Sequence, residues 1–451
     1  MVGLWTILLN KRLIFALLIC TIIPSSWANE LVTSGYFKGY LLGQDEIDIQ
    51  GSLDDLGDDI PDHINGGIQS QNAMRLMINY FSGDINVEMH YEIQPIFSNY
   101  DFLTANSGVI GNTLSSATNV YRYKDLETSI FKSDTSFVTL QNLDRFNLQY
   151  TAEWGDTTIG RQVVAFGSAR FINPTDIFVP FAIQTLNQEY RVGIDAIRSQ
   201  ISLGDFSTLD LGLVVGEDGK KNYNAVFARY QQSVAANDIE LIGISLADAY
   251  LLGGGIERAI GDFGAWLETA YLHAHGRERD DQAMIDDTTI VTNIDTPLMM
   301  QSSTLAEFMQ SYWRTSAGID YAITEEFYVA VEYHFNGAGS DNPDDYLSLS
   351  TTAPYQRGGV YLFGKHYLIP SFNYQINALS TLSSSAFINL NDQSTFIAIH
   401  MEHSWSDNLY SDLGVYLASG HGLLASNSEL QVGSEFGFYP ETVYASLRYY
   451  F

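Results

Sequence analysis

The chain has 451 residues, of which 53 are acidic and 22 are Lys or Arg, for a formal net charge of −31; it holds one cysteine and 13% aromatics. That charge excludes a nucleic-acid partner, whose phosphates demand the opposite sign. The aromatic share, with 46% apolar residues, excludes a disordered chain.

The first residues read as an address. Lys11 and Arg12 precede the apolar run 13–23, which has signal-peptide length and is too short to span a bilayer as a helix. Ser26-Trp27-Ala28 places small residues where a signal peptidase looks, so the expected cut comes after Ala28. Residues 1–28 are then a signal peptide and 29–451 one membrane barrel. Leu17-Leu18-Ile19-Cys20 is a poor lipoprotein site, because Ile19 is bulky. The cut removes Cys20, so neither a disulfide nor thiolate chemistry is expected. No later segment reaches the ~18 uninterrupted apolar residues of a transmembrane helix.

Beyond Ala28 the chain alternates with period two, as a strand does when one face meets lipid and the other a wet lumen. Ile85, Val87, Met89, Tyr91 and Ile93 share one face; Asn86, Glu88, His90, Glu92 and Gln94 share the other. The same alternation runs through 146–154, 327–335 and 397–402. Tight turns are expected at Gly83-Asp84, Gly155-Asp156, Gly204-Asp205, Gly261-Asp262, Thr324-Glu325-Glu326 and Ser406-Asp407. Long polar connections are expected at 44–71, 98–143, 167–187, 275–308, 337–358 and 419–440. Short turns on one rim and long loops on the other are the pattern of outer-membrane barrels. The fold class is therefore all-β, a transmembrane antiparallel up-and-down barrel of about eighteen strands. Sixteen and twenty are the alternatives, since bacterial single-chain barrels have an even number of strands. Reaching eighteen places 430–440 in an external loop. Val443, Ala445, Leu447, Tyr449 and Phe451 alternate with Tyr444, Ser446, Arg448 and Tyr450. Tyr449 and Phe451 resemble the signal that barrel-assembly machinery reads.

The least generic stretch is Gly160-Arg161-Gln162 with Phe166-Gly167-Ser168-Ala169-Arg170-Phe171-Ile172-Asn173-Pro174-Thr175-Asp176. It resembles the strand and adjoining loop of alginate-export-like outer-membrane barrels. Gly364-Lys365-His366-Tyr367, Asn389–Ser394 and Ser406-Asp407-Asn408 resemble stretches of porin-like members of that broad group. The resemblance covers about the second half of the chain. It implies an eighteen-stranded barrel with an inward loop, here 167–187, and a solute pathway lined by arginines. Arg161, Gln162, Arg170, Asp176, Arg191 and Asp195 are the candidate pore-lining and constriction residues. Arg229 and Arg258 are expected to face the lumen as well, because an arginine on the lipid face costs several kcal/mol (~2–4). Glu153, Asp195, Glu257 and Glu268 are the expected counter-charges. Such arginines either guide anionic solutes or neutralise an acidic lumen and stiffen its wall. Arg161 shares a face with Ile159 and Val163, which marks a bulge or a different register.

Other clusters read as weaker sites. Asp45-Glu46-Ile47-Asp48, Asp54-Asp55, Asp58-Asp59 and Asp62 lack the spacing of a calcium loop and read as a solvated external loop. His273 and His275 have chelating spacing without a third ligand, so no metal is expected. Ser316, His334, His400 and Glu332 could serve a hydrolase, but no Gly-x-Ser-x-Gly elbow occurs. The expected function is an outer-membrane channel of porin or exporter type, not an enzyme. It passes a small or extended polar solute, anionic solutes among them, and has no cofactor. A non-conducting adhesive barrel and an outer-membrane hydrolase are the alternatives. Expected partners are outer-membrane lipid and lipopolysaccharide, the assembly machinery, the solute, and an inner-membrane partner if the direction is export.

Overall fold

The computed structural model describes residues 29–51, 63–64, 66–99, 120–124, 126, 128–133, 136–178, 189–275, 309–426 and 429–451. The period-two segments become the strands β1 (Asn29–Gln44), β2 (Gly67–Ser82), β3 (Ile85–Ser98), β4 (Phe137–Ala152), β5 (Gly155–Gln162) and β6 (Ile194–Gly204). Next come β7 (Ser207–Val214), β8 (Ala225–Val234), β9 (Asn237–Leu246), β10 (Ala249–Ile260), β11 (Phe263–Ala274) and β12 (Tyr312–Ala322). The last are β13 (Phe327–Asn336), β14 (His366–Asn377), β15 (Ser380–Asn389), β16 (Thr395–Ser406), β17 (Leu409–Ser419) and β18 (Thr442–Tyr450). Each pairs antiparallel with the next, and β18 closes on β1 with Tyr36 opposite Tyr450 and Gln44 opposite Thr442. The result is a closed barrel of eighteen strands, with the short strand Thr128–Ser133 paired to the external end of β4; closure leaves the wall no free sheet edge.

One rim carries two-residue turns at 83–84, 153–154, 205–206, 235–236, 261–262, 378–379 and 407–408, and a longer one at 323–326. Three expected turns shift, Ser406-Asp407 by one residue to Asp407-Asn408 because Ser406 ends β16. Gly155 and Gly204, both at φ 142, belong to β5 and β6, so the turns are Glu153-Trp154 and Asp205-Phe206. A β-carbon on Gly155 would strike the Gln200 carbonyl, so the strand needs glycine there. The turn at Ala235-Ala236, φ 50 and 60, has the left-handed geometry of a tight hairpin without glycine or asparagine.

The opposite rim carries the long connections 45–66, 99–136, 163–193, 275–311, 337–365 and 420–441. Ile47–Gly51, His63–Ile64, Leu423–Ser426 and Glu429–Val432 form a separate four-stranded sheet there, so the strand-like residues near 430 stay out of the barrel. The expected signal peptide, 1–28, the aspartates at 54–62, and 179–188 and 276–308 of the expected loops lie outside the described residues.

Apolar side chains such as Leu41, Phe146, Ile159, Leu252, Leu267 and Leu413 stand exposed on the outer face, as lipid contact requires. Arg258 shares that face with Ile256 and Ile260, contrary to its expected lumen position. It sits beside the 261–262 turn, where a guanidinium reaches the membrane interface instead of the hydrocarbon. Inside, two apolar clusters join loops to wall. Phe166, Ile177 and Phe178 pack with Phe227, Ile244 and Leu272. Ile172, Leu362 and Phe436 pack with Phe387, Phe396, Tyr416 and Tyr444.

The seam between β1 and β18 rests on a glycine. Gly35 and Phe451 exchange backbone hydrogen bonds of 2.8 and 3.0 Å. A β-carbon on Gly35 would lie 2.6 Å from the Phe451 ring. Gly35→Val is expected to overpack the seam, at a cost of about 1–3 kcal/mol. A lowered unfolding midpoint of the heat-modifiable band on gels would register it; an unchanged midpoint would show that the ring moves aside freely.

Candidate functional site

The described limbs of the loop, 163–178 and 189–193, enter the lumen, and three inward glutamates hold the first limb by the backbone. Gly167 N–H donates to Glu240 of β9 at 3.2 Å. Ser168 and Ala169 N–H donate to Glu268 of β11 at 2.7 and 2.9 Å, and Thr175 adds its N–H at 2.9 Å and its hydroxyl at 2.8 Å. Glu332 of β13 accepts from the amides of Arg170, Phe171 and Ile172 at 3.0, 3.2 and 2.9 Å, and from Trp266 Nε1 at 2.9 Å. A carboxylate is the natural acceptor for converging N–H groups, and such charge-assisted bonds are the strong ones. Arg314 Nη2 donates to the Pro174 carbonyl at 2.7 Å. The wall beneath has no side chains: a β-carbon on Gly253 would lie 2.7 Å from Thr175 Cγ2, and one on Gly255 2.5 Å from Ser168 Oγ. The triple glycine of β10 thus lets the loop lie flat. Phe171 reaches as far as Phe387 of β15.

The second limb, 189–193, lies on another sector of wall. Glu189 takes Lys38 Nζ of β1 at 2.5 Å and the Tyr450 hydroxyl of β18 at 2.7 Å. The Tyr190 ring lies 4.6 Å from the Arg75 guanidinium carbon of β2. Arg145 of β4 donates to the Arg191 carbonyl, and Gly193 N–H donates to Asp144 Oδ1 at 2.9 Å. Asp144 also pairs with Arg75, with Arg145 at 2.5 Å and with Arg122 at 3.4 Å. The two limbs form a collar against the walls β8–β15, β18 and β1–β4.

The residues singled out in the sequence fall into three pairs and a strut. Arg161 stands directly opposite Asp195, with Nε and Nη2 each 2.9 Å from its carboxylate. It also donates to the carbonyls of Leu143 and Lys124, so its guanidinium is consumed in the wall. No register shift interrupts β5 at the expected bulge; Gly160, at φ 118, is instead a position where a β-carbon would strike the Phe146 carbonyl. Gln162 is buried and donates to the Ala196 carbonyl at 3.0 Å. Arg191 pairs with the buried Asp176. Arg170, 44% exposed, reaches Glu257 at 3.3 Å and Asp320 at 3.6 Å. Arg229 pairs with Asp210 at 3.0 Å and Glu240 at 3.5 Å. Glu268, expected as a counter-charge, holds loop amides instead.

Ser316 and His334 do meet, 2.8 Å apart on opposite positions of β12 and β13. The Ser316 hydroxyl lies 2.6 Å from the Ile172 carbonyl, both residues are buried, and Glu332 is occupied by the loop. A nucleophile needs a free path and an oriented base; this pair instead fastens the loop. His273 and His275 flank Tyr250 at ring distances of 5.0 and 5.6 Å. Among the described residues no group of three metal-binding side chains occurs.

Two of the motifs resembling porin-like stretches, 364–367 and 389–394, converge on the external rim, whereas Ser406-Asp407-Asn408 lies at the tight turn of the opposite rim. Glu435, fully buried, accepts from Phe363 N–H at 2.9 Å, Gly364 N–H at 3.4 Å, Asn389 Nδ2 at 2.8 Å and the Tyr367 hydroxyl. Burial pushes its carboxyl up from 4.5 to about 7, against the hydrogen bonds that favour the anion and with the help of nearby Asp392. The folded state therefore binds this proton more tightly than the unfolded chain. Its contribution is fully present below about pH 4.5 and is lost as pH rises through 7, roughly 3 kcal/mol in all. Heat-modifiability midpoints are expected to fall between pH 5 and pH 8 by less in Glu435→Gln than in the wild type. Parallel pH profiles would remove Glu435 as the titrating group.

A closed eighteen-stranded barrel with an apolar outer face, tight turns on one rim and long loops on the other defines an outer-membrane β-barrel protein. No protein-family model and no curated protein sequence matches the chain. Among solved structures it is similar to OccAB4 of Acinetobacter baumannii, with a TM-score of 0.53 and 10% identity over 95% of this chain and 100% of that one. The outer membrane channel DcaP of the same organism aligns at a TM-score of 0.41 and 13% identity, over 95% and 99%. A Rhodopseudomonas blastica porin mutant aligns at 0.41 and 10%, over 94% and 100%. At such identity the likeness to OccAB4 is one of fold.

Proposed function

We propose that the protein is an outer-membrane channel for small polar solutes, with anions among those it passes. The collar carries this reading. Eighteen strands enclose a lumen wide enough for water, and a loop held by three buried carboxylates narrows it to a charged passage. Arg170 and Arg191, 44% and 25% exposed, are the cations that meet the solute. Arg161 with Asp195, and Asp176 and Gln162, brace them. The alginate-export-like resemblance supports a solute pathway at this loop, though no family model matches.

Liposome swelling tests the reading. Proteoliposomes should admit succinate, and Arg170→Ala should slow it by roughly fivefold, the effect of one charge at contact distance in water. Equal rates in both proteins would remove Arg170 from the passage. The packing of both apolar clusters in the external half of the lumen favours a second reading, a barrel that stays shut. Vesicles impermeable even to small sugars would select it.

A further inference from the structure

The collar contacts β8–β15, β18 and β1–β4, whereas no hydrogen bond among the described residues joins it to the lower inner faces of β16 and β17. Three oxygen-bearing residues stand there in one row across adjacent strands. Glu402 of β16 is opposite Asp412 of β17, and Asp412 is opposite Ser446 of β18. Thr381 and Tyr40 continue the row on either side.

Two features make this row more than a patch of acids. Ser446 is 6% exposed, yet its Oγ has no hydrogen-bond partner among the described residues, and Asp412 Oδ1 beside it has none either. The exposed member of each nearby ion pair is the carboxylate. Glu402 is 43% exposed against 17% for Arg448, and Glu189 is 39% against 1% for Lys38. The basic partners are sunk in the wall and the acids face the passage.

We infer that Glu402, Asp412 and Ser446 form a binding subsite for the ammonium group of an organic cation, so that the solutes include amines. A primary ammonium has three N–H donors and no acceptor. The row offers an acceptor on each of three neighbouring strands, about 4.8 Å apart, so one ammonium can bridge two adjacent acceptors, with Asp412 common to either pair. Arg448 and His400 both face these carboxylates; counting histidine as neutral, Glu402 and Asp412 outnumber the one guanidinium, so the subsite is net negative. The inference rests on the channel reading for its route and on the row alone for its ligand.

Putrescine and succinate, four-carbon molecules of opposite charge, separate the two. Calorimetric binding to the refolded full-length barrel in detergent is paired with flux into proteoliposomes. Putrescine should bind and enter; Asp412→Asn should weaken its binding about tenfold, as losing one charge-assisted contact does, with Ser446→Ala somewhat less. Succinate flux should not fall in either variant. Wild-type binding lost in Asp412→Asn, with no flux of either solute, would uphold the subsite and remove the channel. Flux of both solutes with putrescine binding unchanged in Asp412→Asn would overturn the subsite and leave the channel standing.

Discussion

A Glu268→Ala barrel in a planar bilayer should conduct more than the wild type and flicker between levels, because its inward loop detaches. Glu268 is fully buried and accepts four hydrogen bonds from Ser168, Ala169 and Thr175. Truncation strands those donors at about 1–3 kcal/mol each, less what entering water returns. A net loss of about 3 kcal/mol moves the docked loop's equilibrium roughly a hundredfold. Glu268→Gln keeps one acceptor oxygen and should fall between. Gly255→Leu reaches the same end from the other side, since its side chain would displace Ser168. Unchanged conductance in Glu268→Ala and Gly255→Leu would mean that the loop does not limit the current.

Asp144→Ala should be the most destabilising single change in the barrel. One carboxylate serves Arg75, Arg122 and Arg145, whose side chains are 4%, 0% and 5% exposed, and the Gly193 amide besides. Removing one partner from a buried ion cluster costs about 3–5 kcal/mol, because the remaining charges stay in the wall without that counter-charge. Here Glu92, 3.6 Å from Arg75, compensates one of the three guanidiniums. The unfolding midpoint in urea should drop sharply, and proteolysis near Tyr190 should accelerate as the second limb loosens. Asp144→Asn, which keeps the acceptor geometry, should lose less. A midpoint within error of the wild type would show that water already solvates these guanidiniums.

The barrel was legible because a membrane strand repeats its burial every second residue over about ten positions, which survives without an alignment. The Ala235-Ala236 hairpin was not, since no glycine or asparagine marks it; nor were the strand starts at Gly155 and Gly204, where glycine belongs to the ladder. Arg161 and Asp195 could be paired from the sequence because they lie on consecutive strands. Arg191 with Asp176 joins two limbs of one loop, and no period links them. The role of Glu240, Glu268 and Glu332 had a signal, three inward carboxylates around the glycines 253–255, but it is readable only once a backbone is known to lie against those glycines. Arg122 comes from a long connection, and the row from Glu402 to Ser446 exists only in the register of three strands.

Single-channel current of the refolded barrel in a planar bilayer tests the central claim most directly. Stepwise conductance is predicted, with a reversal potential under a salt gradient that shifts in Arg170→Ala and with larger steps in Glu268→Ala. Consistent silence from a folded, heat-modifiable barrel, in the wild type and in Glu268→Ala alike, would contradict a channel narrowed by this loop.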